Sequence, residues 1–178
     1  LITLGTGVGG GLVLNGRVYR GSRGFAGEIG HTCVDPNGLW CNCGSRGCLE
    51  QYASATAIVR LYREKCLKRG RTPPATLTAR GVFDAASAGD VLAVDAIESA
   101  ARRIAQAFGG LLNTLNLRAC VIGGGVSQAG EAIAAPVRRH LPDYAWPLVL
   151  AGTEVVMAEL GNDAGILGAA AGALDWLG

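Results

Sequence analysis

His31, Cys41, Cys43 and Cys48 place one imidazole and three thiols close together in the chain. Zinc prefers nitrogen and sulfur donors in a tetrahedron, and four protein ligands close its shell. A closed shell leaves no position for a reactive water. The expected metal is therefore structural, folding a loop that has no helical periodicity of its own. Free thiols beside an unrelated histidine are the bland alternative, but cysteines spaced this tightly point to a metal.

A carboxylate stands at each end of that loop, Glu28 before the first ligand and Glu50 after the last. Carboxylates accept strong hydrogen bonds from hydroxyl groups, so a metal-anchored pair suits a polyol. The competing reading makes Glu50 a cap of the following helix and Glu28 a surface charge. Upstream, Gly5-Thr6-Gly7 opens a glycine run that reaches Gly11. Such backbone lets N–H groups approach phosphate oxygens, and the threonine hydroxyl adds a donor. The run lacks the Gly-Lys-Ser/Thr ending of a P-loop, and glycine-rich hairpins are often purely structural. A second bare stretch, Gly123-Gly124-Gly125-Val126-Ser127, follows an apolar strand. It can take a flat ring or a phosphate, or be no more than a tight strand-to-helix turn. Together the motifs point to a polyol bound beside a nucleotide.

Elements must hold these groups in place. Leu1 to Leu4 reads as a buried strand. Val8 to Leu14 and Arg17 to Arg20 flank Asn15-Gly16, the strongest short hairpin signal. A helix is expected from about Ser54, with Ile58, Leu61, Tyr62 and Cys66 on one face and Lys68 and Arg69 suiting its C-terminal end. Pro73-Pro74 marks a loop. A shorter helix is expected over 79–87. Asp90 can cap a long one, with Val94, Ile97, Ala101, Ile104, Phe108, Leu111 and Leu115 inward. Strand 119–122, helix 129–140, strand 154–157 and helix 164–177 complete an alternation that predicts an α/β domain with a covered sheet. Asn162-Asp163 reads as the cap of the last helix, and His140 as a partner of its own helix dipole.

The chain has 178 residues, about half of them hydrophobic, enough for one domain with a substantial core. The net charge of +2 excludes the basic stripe of a nucleic-acid binder. The longest apolar run, 164–174, is far below the about 20 residues of a membrane span. There are six cysteines. Their spacing, with no secretory segment in view, argues for reduced thiols in the cytoplasm rather than disulfides. Cys33, Cys66 and Cys120 are not needed as ligands, and the latter two read as small buried side chains. Leu1 stands in what looks like mid-strand, so the chain reads as a piece of a longer protein.

Leu4-Gly5-Thr6-Gly7-Val8-Gly9-Gly10-Gly11, Glu28-Ile29-Gly30-His31, the run from Cys41 through Cys43, Gly44, Gly47 and Cys48 to Glu50, and Ile122-Gly123-Gly124-Gly125-Val126-Ser127 occur in this order. In that order they resemble the ROK family of repressors, open reading frames and kinases, most of all its bacterial glucokinases. The resemblance covers nearly the whole chain. It implies an actin-like (ribonuclease H-like) ATPase fold in two lobes, with residues 1–178 forming the C-terminal lobe and the N-terminal lobe lying upstream. It implies that Gly5, Thr6 and Gly7 approach the phosphates of ATP with its Mg2+. Gly123, Gly124 and Gly125 would approach the adenosine. Glu28, His31 and Glu50 would contact sugar hydroxyls, with His31 also on the zinc. The partners implied are glucose or a related hexose, ATP, and a second copy in a homo-oligomer.

The departure is that the family's catalytic aspartate and its N-terminal phosphate loop would both lie before residue 1. The chain alone is therefore expected not to phosphorylate sugar. A different class fits the same motifs, the sugar-sensing domain of a ROK repressor. A third reading is a zinc-stapled interaction module without a ligand. The intact Gly-Thr-Gly and Gly-Gly-Gly-Val-Ser segments favour the kinase, because a sensor need not hold ATP.

Overall fold

A computed structural model describes the backbone of residues 1–177. The side chains of Asn162 and of residues 174–177 lie outside what it describes, and with them the expected Asn162 cap. The elements run β1 (Ile2–Leu4), β2 (Val8–Gly10), β3 (Leu12–Leu14), β4 (Arg17–Tyr19), α1 (Glu50–Ala53), α2 (Ala55–Lys68), α3 (Ala79–Ser87), α4 (Val91–Leu115), β5 (Ala119–Gly123), α5 (Glu131–His140), α6 (Pro147–Leu150), β6 (Glu154–Met157) and α7 (Ala164–Leu177). Strands and helices alternate through the second half, as an α/β domain requires.

The main sheet has the order β2-β1-β5-β6. β1 pairs antiparallel with β2, with Leu4 opposite Val8, and parallel with β5, with Ile2 opposite Ile122. β5 and β6 are parallel, joined through α5 and α6. Ile2, Leu4 and Ile122 are fully buried. They join one core with Ile104, Phe108 and Leu112 of α4 and with Ile133 and Val137 of α5.

The expected single strand from Val8 to Leu14 is instead two. It breaks at Gly11, and β3 pairs with β4 in a separate two-stranded sheet. Gly10 is the last residue of β2 and pairs with Ile2, the first of β1; it also passes beneath Ile29 and the Gly27 carbonyl, where a Cβ would have no room. Asn15 and Gly16 form the predicted turn, both with positive φ.

Helix caps follow the sequence. The Ser54 hydroxyl accepts the Ala57 N–H at 3.1 Å, and Asp90 Oδ1 accepts the Leu92 N–H at 2.9 Å. Such caps satisfy amides that have no partner within the helix. At its far end, α4 stops at Asn116 in the left-handed conformation. α1, α2, α3 and α5 all pack on α4. The inward stripe differs from the predicted one at Val94, which is exposed; Ala93, Ala96 and Ala100 are fully buried instead. Small side chains let the neighbouring helices approach, a feature the spacing of large apolar residues does not reveal. The last helix but two also differs: residues 125–129 form a 3-10 turn, and α5 starts at Glu131.

Candidate functional site

The loop between Glu28 and Glu50 folds around four donors. The nearest donor atoms of His31, Cys41, Cys43 and Cys48 all lie within 4.8 Å of one another. Cys43 and Cys48 sulfurs are 3.5 Å apart, and Cys41 Sγ is 3.7 Å from His31 Nδ1. A tetrahedron with Zn–S bonds of about 2.3 Å sets its corners roughly 3.8 Å apart, so the donor set fits zinc. The backbone supports it through the Cys41 N–H to Ser45 at 2.8 Å and the Gly44 N–H to Cys41 at 3.0 Å. The backbone of Ser45 draws the Cys43 thiol down to about 7, while burial pushes Cys48 up to about 12. A buried thiol of that kind gives up its proton readily only to a cation that replaces it. Cys66 and Cys120 are buried in the core, away from this cluster.

With Nδ1 turned to the sulfurs, His31 Nε2 faces outward, 3.9 Å from Glu28 Oε2. The two imidazole nitrogens thus serve different neighbours.

A polar tie that the sequence does not announce holds the loop to the domain. Arg103 of α4 donates to the Val34 carbonyl at 2.6 Å and to Asp35 at 3.2 Å. Its guanidinium lies 5.2 Å from the centre of the Tyr52 ring. The Tyr52 hydroxyl in turn donates to Asp35 and accepts the Leu39 N–H at 3.0 Å.

Glu50 opens α1 but does not cap α2, whose cap is Ser54. Its Oε2 instead accepts the Val8 N–H at 3.0 Å. The carboxylate lies directly over Gly7, where any Cβ would collide with it. The loop from Glu28 to Glu50 and the glycine loop are therefore joined at Glu50.

Two cavities meet at these loops. An open groove of about 520 Å³ is lined by Gly5, Gly7, Val8, Gly9, Gly124 and the three predicted polar groups Glu28, His31 and Glu50. A second cavity of about 360 Å³ is lined by Gly5, Thr6, Ala55, Gly125 and Val126, with Ala79, Arg80, Phe83 and Asp84 of α3 opposite. Gly5 borders both. The second glycine run divides: Gly125 faces the second cavity, Gly124 the groove, and Gly123 is buried. Gly124 has φ +82°, and a Cβ on it would lie 2.6 Å from the Leu4 amide nitrogen. Its reason is packing against β1 as much as any ligand. The α3 residues went unnoticed in the sequence, because an amphipathic helix carries no mark of which cavity its polar face borders. His140 stands in the last turn of α5 as expected, and its Nε2 also lies 2.8 Å from Glu98 of α4, a link between helices that the sequence does not announce.

The groove thus offers two carboxylates and an imidazole to hydroxyl groups. The second cavity offers bare backbone at one end and a mixed wall of Ala79, Arg80, Phe83 and Asp84 at the other. Comparison with known proteins places this arrangement. A glucokinase of Halalkalibacterium halodurans is 47% identical over 94% of the chain, which covers 53% of that protein. A ROK family glucokinase from Streptomyces griseus, solved with glucose and AMPPNP, is 34% identical with a TM-score of 0.80, over 94% of this chain and 57% of that one. A ROK family transcriptional regulator, a homologue of the Escherichia coli MLC protein, is 31% identical with a TM-score of 0.77, over 88% and 40%. The chain spans about half the length of the curated relatives it matches. The model of the ROK family matches residues 1–175, and the chain belongs to that family.

Proposed function

We propose that this chain is the C-terminal lobe of an ATP-dependent glucokinase. Its groove holds glucose, and its second cavity the nucleoside end of ATP. The observation that carries the reading is that groove and cavity share Gly5, so donor phosphate and acceptor hydroxyl meet at the glycine loop. Glu28, His31 Nε2 and Glu50 accept or donate hydrogen bonds to sugar hydroxyls. Gly5, Thr6 and Gly7 receive the phosphates, and Gly125 with Gly124 borders the nucleoside. Gly123 acts through the close strand packing that places them.

The reaction passes the γ-phosphoryl group of ATP to the 6-hydroxyl of glucose. This lobe contributes position: it orients the sugar, aims amides at phosphate oxygens and keeps water off the reacting centre. Magnesium, arriving with the nucleotide, neutralises phosphate charge when bound. Zinc held by His31, Cys41, Cys43 and Cys48 folds the sugar-binding loop and supplies no reactive water. The base that takes the hydroxyl proton belongs to the other lobe. Among the described residues, no helix is long and apolar enough to cross a membrane, and the reading is of a cytoplasmic enzyme, a homo-oligomer.

The test is glucose-dependent ADP release. The full-length protein is expected to turn over with ATP and glucose, and the 178-residue chain alone is expected not to. Ordinary turnover by the chain alone would overturn the assignment of the base. The likeness to a ROK regulator favours one second reading, a hexose-sensing domain. A full-length protein that binds glucose but neither binds nor consumes ATP would establish it.

A further inference from the structure

The glycine loop has four successive amides, and they divide into two pairs. The Gly5 N–H donates to the Gly7 carbonyl at 3.0 Å, and the Val8 N–H to Glu50. The N–H groups of Thr6 and Gly7 have no acceptor among the described residues. Thr6 lines the second cavity and Gly7 the groove, at the loop where the two meet.

What aims those two amides is the start of α2. The Ala55 N–H, left over at the first turn of the helix, donates to the Gly5 carbonyl at 2.8 Å. The Thr56 hydroxyl donates to the Thr6 carbonyl at 3.0 Å. A trans peptide is planar, with C=O and N–H pointing in opposite directions. Pulling the Gly5 carbonyl toward α2 turns the Thr6 N–H away from it. Pulling the Thr6 carbonyl toward α2 does the same for the Gly7 N–H. Thr56 does no other visible work: Ser54 caps the helix, and the Thr56 side chain is exposed.

We propose that Thr56 is a positioning residue for the phosphoryl donor. By holding the Thr6 carbonyl, it fixes the Thr6–Gly7 peptide plane and aims the Gly7 amide at a phosphate oxygen. Ala55 does the same for the preceding plane through its backbone, which no side-chain substitution can remove. The inference rests on the nucleotide reading above. It adds that affinity for the nucleotide is set partly from α2, by a residue that does not touch the nucleotide.

The test uses the full-length protein, with KM for ATP, KM for glucose, kcat and melting temperature measured together. Thr56→Val removes the donor while keeping the shape. It is expected to raise KM for ATP about fivefold, the size of one ordinary hydrogen bond. KM for glucose and melting temperature should stay at wild-type values. Thr56→Ser restores the hydroxyl and should restore KM for ATP. An unchanged KM for ATP in Thr56→Val overturns the proposal while leaving the nucleotide reading intact. So does a rise that Thr56→Ser fails to reverse, or one shared equally by glucose, since either marks general damage. A wild-type protein that neither binds nor consumes ATP overturns both.

Discussion

The loop from Glu28 to Glu50 and the helix α4 hold their shapes by opposite means. Between Ile29 and Leu49 the loop buries only three aliphatic side chains, Ile29, Val34 and Leu49. Its order comes from four converging donor atoms and from the tie of Arg103 to Asp35 and the Val34 carbonyl. α4 buries eleven residues along its length and carries the packing of α1, α2, α3, α5 and α6. Burial of apolar area is spread over many contacts and tolerates local loss. A ligand set is concentrated, so it can place two carboxylates and an imidazole at a groove that no apolar core could reach. The cost is that the loop depends on one centre.

That contrast can be broken from the loop side, where the largest effect is expected. Removing metal with a chelator, or replacing Cys43 by serine, withdraws a binding energy of roughly 10 kcal/mol or more in isolated zinc modules. Protease sensitivity should appear between His31 and Glu50, and glucose binding should be lost. The helical circular-dichroism signal should largely survive, because α4 and its neighbours do not rest on the metal. Cys43→Ser with unchanged zinc content and unchanged glucose affinity would disprove the ligand set.

The reverse experiment works on α4. Ile104 is fully buried in the common core. Ile104→Ala should cost about 3 kcal/mol of global stability, the lost transfer energy together with a residual cavity. Urea unfolding measures it. Well below the melting temperature, glucose affinity should hardly change, since the loop geometry is set by its donors. If Ile104→Ala weakened glucose binding as much as chelation does, the two regions would not be separable in this way.

Legibility in the sequence followed the same divide between local and distant causes. The clustering of His31, Cys41, Cys43 and Cys48, the Asn15-Gly16 turn and the Ser54 and Asp90 caps are readable, because each is written within a short stretch of chain. Glu28, His31 and Glu50 stand out in the sequence as candidate sugar contacts, and the structure gathers them in one groove. The Glu50 link to Val8, the Arg103 tie and the hold of Thr56 on Thr6 were not readable. They join residues 42, 69 and 50 positions apart, and nothing local in the chain announces such a pairing. The break at Gly11 was missed for a similar reason. The Asn15-Gly16 turn predicts strands on both sides of it, but which strand each half of 8–14 pairs with, β1 for Val8–Gly10 and β4 for Leu12–Leu14, is decided by partners elsewhere in the chain.

At the start of α4 sits a charged cluster that sharpens the comparison with the smallest effect. Arg71 pairs with Asp90, whose carboxylate also accepts the Tyr62 hydroxyl at 2.6 Å and the Leu92 N–H. Chiefly through Arg71, and then through Tyr62 and Leu92, the Asp90 carboxyl is held well below the usual carboxylate range. A depressed folded-state pKa stabilises the fold fully above the unfolded value of about 3.9, and that stabilisation fades as pH falls toward the folded value. Asn caps helices about as well as Asp, so Asp90→Asn removes the charge and keeps the cap. The variant should unfold at lower urea than wild type at pH 6, and the gap should narrow at pH 3. Acid would also release any metal held by His31 and the cysteines, but Asp90 lies outside that cluster, so both proteins lose it alike and the difference between them isolates Asp90. A gap of the same size at both pH values would mean that Asp90 acts through shape alone. The start of α4 would then owe its stability to packing, like the rest of that helix, with no share from charge.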